Sequence, residues 1–372
     1  MASNETICAM ALSMMFPNRL VGLKQLYQRV GCAAKIVEKA DSLDSVVPDL
    51  NLNSFSIDRG QLNDFLKRAE AEAKYIEDHG MACISMDMAT YPQRLLEVCD
   101  DAPLVLYYCG TADLNTAKII SVVGTRNSTE YGRDMVNRII GELASFYPDL
   151  VVVSGLAYGT DINAHRAALD NGLMTVGVLA HGLDRIYPTS HRNTASRMIK
   201  SGGLLTEFPI GVKPETYNFL RRNRIVAGLS EATLVVESKE RGGSLSTARL
   251  ANSYNLQVLA CPGRATDSAS AGTNRLIRSH SAVMITSAGD MIETLGWQKP
   301  ESGKEALPSL FDVPLEGDEK TVYDLLDTDG KHVNSIVSES GLAISTVMAA
   351  LSELEFNGLA RQLPGSKWRK VQ

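Results

Sequence analysis

Residues 119–129, IISVVGTRNST, place a continuous run of β-branched and apolar residues against a glycine, an arginine and then a pair of hydroxyl side chains. A short apolar run closed by glycine reads as a buried strand, and Ser128 or Thr129 can cap a helix running to about Phe146. The same alternation recurs in LVVVS at 150–154, TVGVL at 175–179, GLLTE at 203–207, TLVVE at 233–237, QVLAC at 257–261 and AVMIT at 282–286. Strands that are apolar throughout, separated by helical stretches, imply a doubly wound parallel sheet with helices on both faces, an α/β fold. Sheets of this kind hold their ligands at the carboxyl ends of the strands, so the turns after these runs are where function is expected.

Outward from this block the composition changes. Residues 1–80 read as short helices, with Leu20, Leu23, Leu26 and Val30 in helical register and breaks at Pro17, Gly31 and Pro48. Nothing catalytic stands out among them. Residues 81–297 carry the sheet, and 298–316, holding KPESGKEALPSLFDVPLE, have the composition of a linker. From 317 to 372 the pattern gives a helix through Leu326, a second around Val333–Ser338, a turn at Gly341, a third from Ser345 to Phe356, and a β-hairpin with Pro364 and Gly365 at its tip. That is winged-helix order. Its third helix should bury Val347, Leu351 and Leu354 and expose Thr346, Ser352, Glu353 and Glu355, with no basic residue on the exposed face.

The whole chain has 372 residues, 44% hydrophobic and 22% charged, with a formal charge of −6, values of an ordinary globular protein of two or three domains. No apolar run approaches the roughly 20 residues of a bilayer span, and MASNETICAM lacks the pattern of a signal peptide, so a cytoplasmic location without a membrane partner is expected. Six cysteines, at 8, 32, 83, 99, 109 and 261, form no CxxC pair and no metal spacing. Neither a metal nor a cofactor is expected.

Four stretches carry chemistry. Gly124, Thr125, Arg126 and Asn127 combine close backbone approach, the N–H groups of a helix start and a guanidinium, which together suit a phosphate; a plain strand-to-helix turn fits the same residues equally well. Ser154, Gly155, Leu156, Ala157, Tyr158, Gly159, Thr160 and Asp161 repeat the design after the second run. Between Arg185 and Arg224, eight cationic side chains (Arg185, Arg192, Arg197, Lys200, Lys213, Arg221, Arg222, Arg224) face only Glu207 and Glu215, a net +6 within a chain whose total is −6. Tyr187, His191, Phe208, Tyr217 and Phe219 interleave with them. Cations that follow a backbone and aromatic faces that receive bases are what an unpaired nucleic acid strand requires. Finally, Gly242, Gly243, Ser244, Leu245, Ser246, Thr247 and Ala248 form a glycine turn feeding a helix start.

In order along the chain, YPQRLLEVCDDAPLVLYYCG, VVGTRNSTEYG, SGLAYGTDINAH, GVLAHGLDRIYPTSHRN, GGLLTEFPIG, FLRRNRIVAGLS, VVESKERGGSLSTARLA, CPG and GTNRLI resemble the DNA processing protein A (DprA, Smf) family, from Tyr91 to about Leu295. The flanks are similar to that family's N-terminal region, sterile-alpha-motif-like or helix-hairpin-helix, and to its C-terminal winged helix. The resemblance implies an extended Rossmann fold that binds single-stranded DNA without sequence preference, protects incoming strands in natural transformation and loads a RecA-type recombinase. It also implies a homodimer formed through the Rossmann domain. Carried over by position, Gly124, Thr125 and Arg126 are similar to the family's phosphate clamp, Arg222, Asn223 and Arg224 to its RNR run, and Gly243, Ser244 and Thr247 to its SGSLxTA turn. Tyr158 stands where the family often has Arg, and Gly242 where Ser is common.

The expected site therefore comprises Gly124, Thr125, Arg126, Ser154, Gly155, Lys213, Arg221, Arg222, Asn223, Arg224, Gly243, Ser244 and Thr247, with no catalytic residue. One rival reading is a nucleotide N-glycosidase, whose GGxGTxxE motif would set its carboxylate at Arg249, a side chain unable to act as a base at neutral pH. Asp161 and His165, four apart on a helix, fit an acid/base pair less well than a capping Asp and a helix-face His. Another rival is a duplex-reading regulator acting through the winged helix. Against it, 317–372 hold six Lys or Arg and eight Asp or Glu, and the candidate recognition helix presents Ser and Glu where groove readers present cations or amides.

Overall fold

A computed structural model of the chain describes residues 2–43, 57–298, 315, 317–327 and 330–370. Two compact units result, Met1–Gln298 and Lys299–Gln372. Pro48 and nearly all of the expected linker at 298–316 lie outside the described residues.

In the first unit, helices α1 (Asn4–Met15), α2 (Leu20–Val30), α3 (Ala33–Glu38) and α4 (Arg59–Asp78) precede the sheet. The helical register expected from Leu20 holds, and α2 ends at Gly31 in the left-handed conformation that glycine adopts without strain. Leu12, Leu23, Leu26, Ile36 and Ile76 from these helices share one core with Ile84, Tyr91, Leu95 and Leu106. The buried ammonium of Lys24 donates to the carbonyls of Leu96 and Cys99 at 2.6 and 2.7 Å, tying α2 to the end of α5 (Gln93–Val98). The expected boundary at residue 80 thus falls inside this unit, at the turn between α4 and the first strand.

All seven apolar runs become neighbouring parallel strands: β3 (Ile119–Val123), β4 (Val151–Ser154), β5 (Met174–Val178), β6 (Gly202–Thr206), β7 (Ala232–Val235), β8 (Gln257–Ala260) and β9 (Val283–Met284). Two further strands, β1 (Ala82–Ser85) and β2 (Val105–Gly110), extend the sheet antiparallel beside β6, so the sheet is mixed at one edge. Its order is β1-β2-β6-β5-β4-β3-β7-β8-β9. Helices α6 (Glu130–Phe146), α7 (Thr160–Asp170), α8 (Arg192–Lys200), α9 (Thr216–Gly228), α10 (Ser244–Ser253), α11 (Ala271–Arg278) and α12 (Ala288–Thr294) follow the successive strands. Thr129 is the N-cap of α6, its Oγ1 accepting from the N–H of Gly132 at 3.2 Å. From β3 the chain winds outward through β4, β5 and β6, then returns by way of α9 to place β7 on the other side of β3. This reversal opens a crevice at the strand tips.

The second unit is a winged helix: α13 (Gly317–Leu325), β10 (Lys331–His332), α14 (Val333–Ser340), α15 (Ile344–Phe356), β11 (Ala360–Leu363) and β12 (Lys367–Lys370), with sheet order β10-β12-β11. Val322, Ile336, Val347, Leu351, Leu354 and Trp368 form its core. The outer face of α15 is more apolar than Ser352 and Glu353 alone suggest, since Ile344, Met348 and Phe356 are exposed there too. Among the described residues no single helix is long and apolar enough to cross a membrane.

Candidate nucleic-acid interface

The turns after β3, β4 and β7 meet α9 around a cavity of about 270 Å³. Close backbone approach between the first two turns makes this possible. The N–H of Thr160 donates to the carbonyl of Thr125 at 3.1 Å, and a Cβ on Gly159, where φ is +75°, would lie 2.2 Å from that same oxygen. A Cβ on Gly124 would lie 2.3 Å from Thr160 Oγ1. Glycine is required at both positions, which is the physical content of the GT and YGT motifs.

From the other side the first turn is held by Glu237, at the end of β7. Its carboxylate accepts from the N–H and Oγ1 of Thr129 at 2.9 and 2.5 Å. Gly132 leaves room for it, because a Cβ there would meet Glu237 Oε2 at 2.1 Å. Arg126 is consequently presented by a loop pinned at both ends. Its exposed guanidinium lies 5.5 Å from the centre of the Phe219 ring on α9.

Arg222 forms the floor. Only 3% exposed, it donates from Nη1 to the carbonyl of Val178 and lies against Gly155, where a Cβ would stand 2.1 Å from that nitrogen. Burial, opposed by the charge of Asp161, draws its pKa down to about 10, so it stays cationic at neutral pH. Asp161 is raised above the usual carboxylate range by its own burial, against the pull of Arg222 and the N–H of Ala157. Across the cavity, α10 starts at Ser244, immediately after Gly243, and Gly242, Gly243, Ser244 and Thr247 line the same space; the N–H groups of Leu245 and Ser246 are already taken by the carbonyls of Gly242 and Gly243 at 3.2 and 3.1 Å. Asn223 on α9 donates to Ser246 Oγ at 3.0 Å and braces that start.

Of the expected site residues, Gly124, Thr125, Arg126, Gly155, Arg222, Asn223, Gly243, Ser244 and Thr247 line this single cavity. Ser154 lies beneath it, its Oγ donating to the carbonyl of Val122 at 2.6 Å. Lys213, Arg221 and Arg224 are placed elsewhere. Arg221 and Arg224 both converge on Glu207 Oε2 at 2.5 Å, and Arg224 also faces Asp101 at 3.5 Å. A carboxylate with only 1% of its side chain exposed needs these partners, so the two guanidiniums are held by the fold itself. Lys213 is exposed and does not line the cavity.

Sequence reasoning overlooked Lys239 and Arg241, exposed cations in the turn after β7 that also line the cavity. The signal was present in KERGG, next to a turn already singled out, but outside the basic stretch that was counted. Arg249 is exposed and absent from the lining. His165 is a core residue: Nδ1 donates to Thr175 Oγ1 at 2.7 Å, and the Thr175 hydroxyl in turn donates to the carbonyl of Val152 at 2.8 Å. Burial and the charge of Arg222 push the His165 pKa down to about 3. No group of three metal-ligating side chains occurs among the described residues.

Fold and site together define a Rossmann-type α/β protein with a cavity lined by Arg126, Arg222, Lys239 and Arg241 at the point where strand order reverses. Residues 82–296 match the family model described as DNA recombination-mediator protein A, and residues 308–366 match the DprA winged helix domain. Protein Smf of Escherichia coli is 31% identical, the alignment covering 93% of each chain. The X-ray structure of DNA processing protein A from Streptococcus pneumoniae superposes with a TM-score of 0.61 at 30% identity, covering 75% of this chain and 96% of that one. A structure of DNA processing protein A from Helicobacter pylori, described for its single-stranded DNA binding mode, gives 0.53 at 30% identity over 59% of this chain and 97% of that one. The chain belongs to the DNA processing protein A (DprA/Smf) family.

Proposed function

We infer that this protein is a non-enzymatic binder of single-stranded DNA, acting in the cytoplasm to protect strands taken up in natural transformation and to load a RecA-type recombinase onto them. One observation carries the reading: Arg126, Arg222, Lys239 and Arg241, the start of α10 and the Phe219 ring surround one crevice. Cations and backbone N–H groups suit phosphates, and an aromatic face suits any base, which is the chemistry of sequence-independent binding to an unpaired strand. Asp161, the carboxylate in the lining, is buried and accepts from the Ala157 N–H under the positive charge of Arg222, which leaves a glycosidase without an exposed base there.

Residues 81–297 would hold the strand and pair two copies, with 1–80 bracing the sheet and 317–372 serving a different partner. The exposed Ile344, Met348 and Phe356 on α15 favour a protein contact over a DNA groove for the winged helix. A fluorescence-anisotropy titration against an oligonucleotide, alone and annealed to its complement, tests the main reading. Clear preference for the single strand is expected; equal affinity for the duplex overturns it.

A further inference from the structure

Three hollows adjoin one another around the N-terminal half of α9. The cradle reaches Leu220, and a second hollow of about 450 Å³ shares Leu220 with it and is bounded by the α1–α2 turn at Arg19. Tyr217 and Arg221 pass from that second hollow into a third, of about 290 Å³, walled by Met14, Val105, Phe208 and Pro209. Tyr217 and Leu220 are 59% and 54% exposed, so large apolar faces lie open along the whole route. Exposed Arg19 and Arg68 stand at the second and third hollows.

Glu207 belongs to the lining of the third hollow. Its Oε2 is taken by Arg221 and Arg224, but its Oε1 is buried and finds no hydrogen-bond partner among the described residues. A buried carboxylate oxygen left bare is costly, and it is completed by a donor. Arg68, Arg221 and Arg224 already surround the site with positive charge, so the fitting donor is neutral. A planar group with an N–H edge and an apolar face meets all of these conditions, and every nucleobase has both.

We propose that this third hollow is a second subsite for the strand held in the cradle, taking an unpaired nucleobase whose N–H donates to Glu207 Oε1 while Tyr217 offers a stacking face at the entrance. The proposal rests on the single-stranded DNA reading above. Arg19 and Arg68 would accompany the backbone between the two subsites. The α1–α2 turn, which lies outside the Rossmann sheet, thereby becomes part of the binding surface.

Anisotropy titrations of the full chain with oligo-dT of about 4 to 16 nucleotides test it, comparing wild type with Tyr217→Ala, Tyr217→Phe and Arg126→Ala. Tyr217→Ala should weaken the longest oligonucleotide by about tenfold and leave the shortest unchanged, with Tyr217→Phe restoring the difference. Abasic positions placed at one end of the long oligonucleotide, each end in turn, should reproduce the loss in wild type and add nothing to it in Tyr217→Ala. The second subsite is overturned if Tyr217→Ala has no effect at any length or the same effect at every length. Should Arg126→Ala weaken every length while Tyr217→Ala is neutral, only the second subsite falls; if Arg126→Ala is neutral as well, the cradle falls with it.

Discussion

Arg126→Ala perturbs the cradle at one of its exposed charges. The side chain is exposed, stands over Phe219 and makes no ion pair among the described residues, so its removal should change folding stability by no more than about 0.5 kcal/mol. A charge-assisted hydrogen bond to phosphate contributes about 1.5–3 kcal/mol, which corresponds to about 10- to 100-fold in affinity for an oligo-dT. Because one phosphate loses its counter-charge, the slope of log affinity against log salt should become shallower by about 0.7. Arg126→Lys should keep that slope yet still lose affinity, since an ammonium cannot make the two parallel bonds of a guanidinium or stack on Phe219 in the same way. The assay is anisotropy at several salt concentrations, with thermal unfolding as the control. Unchanged affinity and slope in Arg126→Ala would refute the assignment of this loop to the phosphate backbone.

Gly155→Ala should evict Arg222 from its place beneath the cradle, given the 2.1 Å approach; a loss of about 1–3 kcal/mol in urea unfolding together with weakened DNA binding is expected, and wild-type values for both would contradict the packing. Glu207→Ala strips the shared partner from two guanidiniums and should cost about 3–5 kcal/mol of stability, checked by the same denaturation. His165 gives the pH dependence. Its pKa falls from 6.5 in the unfolded chain to about 3 in the fold, so its contribution is complete above 6.5 and is lost as pH drops toward 3. The unfolded state takes up the proton first, and stability should decline by about 1.4 kcal/mol per pH unit for this one group. Denaturation between about pH 7 and 5 should show a flatter decline in His165→Gln, with the lowered His181 and His191 supplying what remains; an unaltered slope would show that His165 is not held neutral.

Strands buried on both faces announce themselves as apolar runs, which covers β3 to β8; β9, an edge strand with Val283 and Met284 both exposed, was legible from its apolar composition alone. β1 and β2 were not. β1 is a four-residue edge strand with only its last two residues buried, and β2 reads YYCG at its end, with neither clean alternation nor a β-branched run to set it apart. In the site, glycine turns were readable because glycine is demanded by backbone geometry that other residues cannot adopt. The arginines of 221–224 were less so, since counting charge says nothing of direction. On a helix Arg221 and Arg224 stand three apart and share a face, which here meets Glu207, while Arg222 turns about 100° away, into the crevice.

Arg222 is held by the Val178 carbonyl and packed against Gly155 before any strand arrives, and Glu237 holds the loop that bears Arg126. The backbone's ordering cost is therefore settled during folding, and the freedom still to be lost on association belongs to the nucleic acid and to the exposed side chains of Arg126, Lys239 and Arg241. Little backbone rearrangement should separate the empty and occupied forms, and variants within the crevice should differ mainly in how long the complex survives rather than how quickly it forms.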